Sequence, residues 1–382
     1  MDRKGAIGRR AAFGVSAIAV AGLLALAAPL QAAENGVGRS NSRALSASGG
    51  DPFWTPERFR AARPLNLPGA DPEIVEDNAT AARNGVAAGP QVSWPSSPPK
   101  LELAPNWNNR LFTPSPLGQL SPQLDGVIAN GKGSSGFPYT TSRVLPDAAV
   151  SAYPYRAAGK IFFRDPRKGT LNICSGAVIS KRLVGTAGHC VYNTAGNYWY
   201  DNFQFIPAYR NGAAPYKKWT WGYVWTTNTW INGGETFPNR GDFAIIETAD
   251  NGGVIGNITG TLGWITNAMV GQHLHTLGYP GNIDNGERMQ FTAAETRSVS
   301  GGYAGQLGSE QRGGSSGGPW VRDLGVTGSG SDLTPAGMRN RIVGFTSYGP
   351  VAIGPKYQGS TILNGEWTSL WNSACRRKSG NC

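Results

Sequence analysis

The chain has 382 residues, enough for one two-barrel unit or two ordinary domains, so length alone excludes little. Its 54 glycines, 26 prolines and 12 tryptophans, beside only 15% charged residues, exclude a helical bundle and favour short strands joined by tight turns: an all-β fold. The formal charge of +11 comes without a Lys/Arg cluster interleaved with aromatics, so a basic soluble protein is expected and no nucleic-acid partner. Its one basic run, Arg376-Arg377-Lys378, is assigned to a solvated tail.

At the N-terminus a basic start (Arg3, Lys4, Arg9, Arg10) leads into an apolar run from Ala11 to Ala28, then Pro29 and the small residues Ala32 and Ala33. This pattern predicts a signal peptide over residues 1–32, hence a secreted protein, extracellular or periplasmic, with no stable membrane anchor once the signal is removed. From Glu34 to about Ser142 the sequence is rich in Pro, Asn, Ser, Gly and Ala, as in Trp94-Pro95-Ser96-Ser97-Pro98-Pro99 and Gly131-Lys132-Gly133-Ser134-Ser135-Gly136. Its periodicity is poor. Residues 33–143 therefore read as a low-complexity leader or propeptide, irregular and extended, without a packed core.

From Val144 the character changes to short apolar or β-branched runs between Gly, Asn and Pro, among them Lys160-Ile161-Phe162-Phe163, Gly176-Ala177-Val178-Ile179, Phe243-Ala244-Ile245-Ile246 and Arg341-Ile342-Val343-Gly344-Phe345. Such spacing predicts barrel strands over 144–382. The one long helix expected runs from about Gly365 to Ala374, where Trp367, Leu370, Trp371 and Ala374 share a face. Four cysteines in an exported chain allow three pairings, and proximity favours Cys174 with Cys190 and Cys375 with Cys382.

Three segments carry chemistry. In Gly313-Gly314-Ser315-Ser316-Gly317-Gly318-Pro319 glycines surround a serine, permitting positive φ and close approach of backbone N–H groups to a substrate carbonyl. Ser316 is the candidate nucleophile, with its own N–H and that of Gly314 as the oxyanion hole. In Thr186-Ala187-Gly188-His189-Cys190 a histidine follows small residues, and a Cys174–Cys190 bridge would restrain the loop that carries it. Asp242, at the mouth of the strand Phe243-Ala244-Ile245-Ile246, can accept from the imidazole Nδ1–H; read alone it is as readily a turn aspartate. The run 314–318 also satisfies the G-x-S-x-G elbow of α/β-hydrolases, but there the histidine follows the serine, and all three histidines here, 189, 273 and 275, precede Ser316. His273 and His275 alternate on one strand and are assigned a structural role, with no metal expected.

Together Thr186–Cys190, Asp242-Phe243-Ala244 and Gly314–Pro319 resemble the His, Asp and Ser signatures of trypsin-like serine peptidases, in that family's chain order, over about Val144 to the C-terminus. Within it, Val144-Leu145-Pro146, Tyr153-Pro154-Tyr155 and Leu277-Gly278-Tyr279-Pro280-Gly281 resemble the bacterial glutamyl-endopeptidase, or V8-like, branch. The resemblance implies two six-stranded antiparallel β-barrels packed together with a C-terminal helix. It also implies a monomeric endopeptidase that cuts protein or peptide substrates through an acyl-enzyme and needs no cofactor. The alternative, a peptidase-fold binding or adhesion protein, is usually marked by loss of Ser, His or Asp, and none is lost. Thr346-Ser347-Tyr348-Gly349 is the implied edge strand that pairs with substrate and walls its pocket. No histidine lies there, against glutamate preference, while Glu310 falls where trypsin carries its acid for Arg and Lys. The residue before the nucleophile is Ser315, not the aspartate that trypsin pairs with its new N-terminus, so that form of activation is unavailable. Cutting between Arg143 and Val144 would release a chain beginning where the resemblance begins.

Overall fold

A computed structural model describes residues 36–41, 51–69, 90–113, 129–133, 138–234, 236–299, 302–325, 339–352 and 354–382; the expected signal segment lies outside them. Six strands form the first sheet: β1 (Ala158–Arg164), β2 (Leu171–Val178), β3 (Leu183–Thr186), β4 (Asp201–Pro207), β5 (Trp219–Thr227) and β6 (Ala244–Thr248). They pair in the order β5-β4-β1-β2-β3-β6, and β6 returns to β5, closing an antiparallel barrel. Closure leaves one stretch of edge, Tyr223–Thr227 of β5, beyond its short pairing with β4. Most of these residues are buried on both faces because other parts of the chain cover the outside, which is why the runs look continuously apolar rather than alternating.

The second sheet contains β7 (His273–Gly278), β8 (Gln290–Glu295), β9 (Ala304–Leu307), β10 (Pro319–Arg322), β11 (Arg341–Tyr348) and β12 (Gln358–Ile362), in the order β9-β12-β11-β10-β7-β8. It curls as a half-barrel. Past β8 the sheet continues into Pro138–Arg143 and then Ala129–Lys132. The two halves meet where Phe345 of β11 lies over Gly185 of β3; a Cβ on Gly185 would stand 2.4 Å from the Phe345 ring.

The C-terminal helix runs Gly365–Arg377, with the Asn364 side chain capping the N–H groups of Glu366 and Trp367. Its expected face is buried: Trp367, Leu370, Trp371 and Ala374 all point inward. Trp367 touches the rings of Phe243, Trp264 and Phe345, so one side chain joins the first barrel to the second sheet. Both expected disulfides form, Cys174–Cys190 and Cys375–Cys382.

The leader differs from its reading as chain without core. The compact unit runs from Glu34 to Cys382, with no break at 144. Gly36–Ser40 pairs with β5, Arg63–Pro64 with β2, and Ser93–Trp94 with Gly263–Ile265. Trp54 and Phe59 pack on Phe162 of β1, and Trp94 on Trp371. The physical reason is that these short pieces have no core of their own; each completes one already built by the barrels, so no internal period is required.

Truncating Trp367 to alanine removes contacts on both halves at once. The Trp367→Ala chain is expected to lose about 3–5 kcal/mol of stability in a urea titration, with activity and unfolding midpoint falling together.

Candidate active site

The antiparallel register of β3 with β6 sets Thr186 opposite Ala244. His189, just past the end of β3, and Asp242, just before β6, therefore emerge side by side at one end of the barrel. The Asp242 side chain is fully buried and accepts from the His189 backbone N–H at 2.8 Å and from Nδ1 at 2.9 Å. A carboxylate offers only acceptors, so Nδ1 carries the proton and Nε2 is left bare, with a lone pair to accept one. The turn reading of Asp242 is thus replaced by a pairing with the imidazole.

Ser316 arrives from the other half. Gly317 N–H donates to Thr346 O and Thr346 N–H to Gly318 O, which fastens the serine turn to β11. Gly317 takes φ +74°, and a Cβ there would sit 2.0 Å from Thr186 Oγ1. Gly314 takes φ +93°. Ser316 Oγ and His189 Nε2 are both buried and without a hydrogen-bond partner among the described residues.

Ser315 stands where trypsin has its aspartate, and hydrogen bonds between neutral groups hold the turn. Its Oγ donates to Arg312 O at 2.7 Å and accepts from Gln358 Nε2 at 2.8 Å. Ser175 Oγ donates to Gly314 O at 2.9 Å and accepts from Tyr279 N–H. Ser175 and Gln358 carried no signal in the sequence; both are strand residues distinguished only by what the fold brings to them.

Among the expected substrate residues, Ser347 donates to Asp242 Oδ2, giving the buried carboxylate a third donor. Thr346 Oγ1 accepts from the Trp320 indole, and Tyr348 is buried beside Gly349. The Glu310 carboxylate is held by Tyr139 at 3.1 Å and Lys356 at 3.0 Å. Burial, with that carboxylate adding, pushes the Tyr139 phenol up to about 12. Arg143 pairs with Asp284, and Val144 N–H donates to Met289 O. Both Cys174 and Cys190 sulfurs near His189 are consumed in the disulfide. His273 and His275 lie edge to face, with burial lowering the His275 pKa.

No protein-family model matches the chain. It is 29% identical over 203 residues to a glutamyl endopeptidase of Bacillus licheniformis, covering 52% of this chain and 59% of that one. It is 24% identical over 136 residues to an extracellular metalloprotease of Bacillus subtilis, covering 35% and 41%. The chain therefore spans about half the length of the relatives it matches. Among solved structures, the protease Anisep from Arthrobacter nicotinovorans superposes with TM-score 0.50 at 28% identity, over 59% of this chain and 98% of that one. The thermostable serine protease AL20 superposes with TM-score 0.50 at 23% identity, over 58% and 98%.

The closed barrel, the curled partner sheet and the C-terminal helix give the chain the chymotrypsin fold. Within that class its sequence is glutamyl-endopeptidase-like.

Gly317→Ala tests the serine turn, since the new methyl has neither room nor a favourable φ. It is expected to cost about 2–4 kcal/mol, read as a lowered thermal midpoint; an unchanged midpoint would contradict the tight packing of the turn on Thr186.

Proposed function

We propose that the chain is a secreted serine endopeptidase in which Ser316 attacks the peptide carbonyl. His189 takes its proton and passes it to the leaving amine. Asp242 holds the imidazole in the Nδ1–H tautomer and stabilises the imidazolium. The N–H groups of Gly314 and Ser316 receive the oxyanion. Water then hydrolyses the acyl-enzyme by the same relay. The observation that carries this reading is the buried Asp242 bonded to His189 Nδ1 and to Ser347 of β11, the strand to which the glycine turn of Ser316 is fastened, in the fold of a related protease.

Export rests on the basic and apolar N-terminus, and no helix among the described residues is long and apolar enough to cross a membrane. Maturation is assigned to cleavage after Arg143. N-terminal sequencing of the secreted protein is expected to begin at Val144; a start at Ala33 or Asn35 would contradict it. Glu310, tied to Lys356 and Tyr139, is not free to receive a basic substrate side chain unless that pair opens.

A fluorophosphonate is expected to label the processed protein covalently, and Ser316→Ala to abolish labelling. Asp242→Asn should lower turnover roughly 10⁴-fold while leaving the fold intact. Correctly processed protein that never labels would point instead to a peptidase-fold binding protein.

A further inference from the structure

Residues 63–69 lie across the candidate site from end to end. Arg63 and Pro64 pair with Asn172 and Ile173 of β2. Leu65 N–H donates to Ile173 O at 3.0 Å, and Leu65 O accepts from Gly314 N–H at 2.9 Å, the group assigned to the oxyanion hole. Pro68 O accepts from Gly349 N–H at 3.1 Å, on the strand assigned to substrate.

The fit is close. A Cβ on Gly281 would stand 2.3 Å from Pro64, and one on Gly349 would stand 3.0 Å from Leu67 Cδ1. Leu67 is only 2% exposed. With His189, Trp230 and Phe237 the segment lines an open pocket of about 360 Å³.

Its direction differs from that of a substrate. In the relay proposed above His189 delivers its proton to the leaving amine, which puts the leaving half of a substrate on the side of His189, the Cys174–Cys190 bridge and Ile173, and the acyl half along Thr346–Gly349, the strand assigned to substrate. Residues 63–69 run the other way, from Ile173 past Gly314 to Gly349. A reversed chain places the Asn66 nitrogen on the acyl side, where the imidazole has no proton to deliver.

The chemical groups are already assembled beneath it. His189 is paired with Asp242, and the serine turn is set by Ser315, Gln358 and Arg312 without a new N-terminus.

We propose that Arg63–Gly69 is an intramolecular inhibitor threaded through the cleft in reverse, and that activity requires its withdrawal. The proposal rests on the serine-endopeptidase reading above. Labelling by a fluorophosphonate is followed on precursor of verified intact mass, beside the Leu67→Asp precursor and the processed protein. The intact precursor is expected to label at least tenfold more slowly than either, with no cut between residues 63 and 69. An intact precursor that labels as fast as processed protein, or is cut within the segment, overturns the inhibitor and leaves the enzyme standing. Labelling of none of the three overturns the endopeptidase reading and the inhibitor with it. Should Leu67→Asp fail to fold, amide exchange decides on the Ser316→Ala precursor: Gly314 and Gly349 are expected to be protected there and to exchange faster in the processed Ser316→Ala chain. Equal exchange in the two overturns the proposal.

Discussion

The structure depends on a single buried charge. Asp242 sits out of reach of solvent, where an uncompensated carboxylate costs several kcal/mol, and three donors meet it: the His189 N–H, His189 Nδ1–H and Ser347 hydroxyl. Two of these come from the barrel that carries Asp242 and the third from β11 of the other sheet. The carboxylate thus gains its third donor only when the halves are joined, and the two from His189 hold the imidazole in place. Stability and chemistry share this interaction.

The same joint explains the small residues around it. Gly185 admits Phe345, Gly317 admits Thr186, and neutral hydrogen bonds from Ser315 and Gln358 hold the turn. Trp367 closes the seam from outside.

Much of this was legible in the sequence, for a physical reason. His189, Asp242 and Ser316 lie in short stretches whose local requirements (small neighbours, a strand entry, glycines with positive φ) leave marks that survive without knowledge of the fold. The helix face from Trp367 to Ala374 was legible by its period. The leader was not. Trp54 and Phe59 stack on each other around the short helix Pro56–Ala61, and Leu67 lies in irregular chain beyond it; all three are buried, the two rings against Phe162 of the barrel, a surface no local pattern announces. Ser347 was assigned to substrate, and its bond to Asp242 had no local mark because it joins residues 105 apart. A serine turn that takes shape without a new N-terminus leaves occupancy of the cleft by residues 63–69 as the proposed means of silencing it.

Whether Asp242 sets the tautomer of His189 is read by nitrogen-15 NMR of the three histidines at neutral pH. The His189 imidazole is expected to be protonated at Nδ1 with Nε2 bare, a signature lost in Asp242→Asn. A His189 resonance protonated at Nε2 in the wild-type protein, or unchanged in Asp242→Asn, would contradict it.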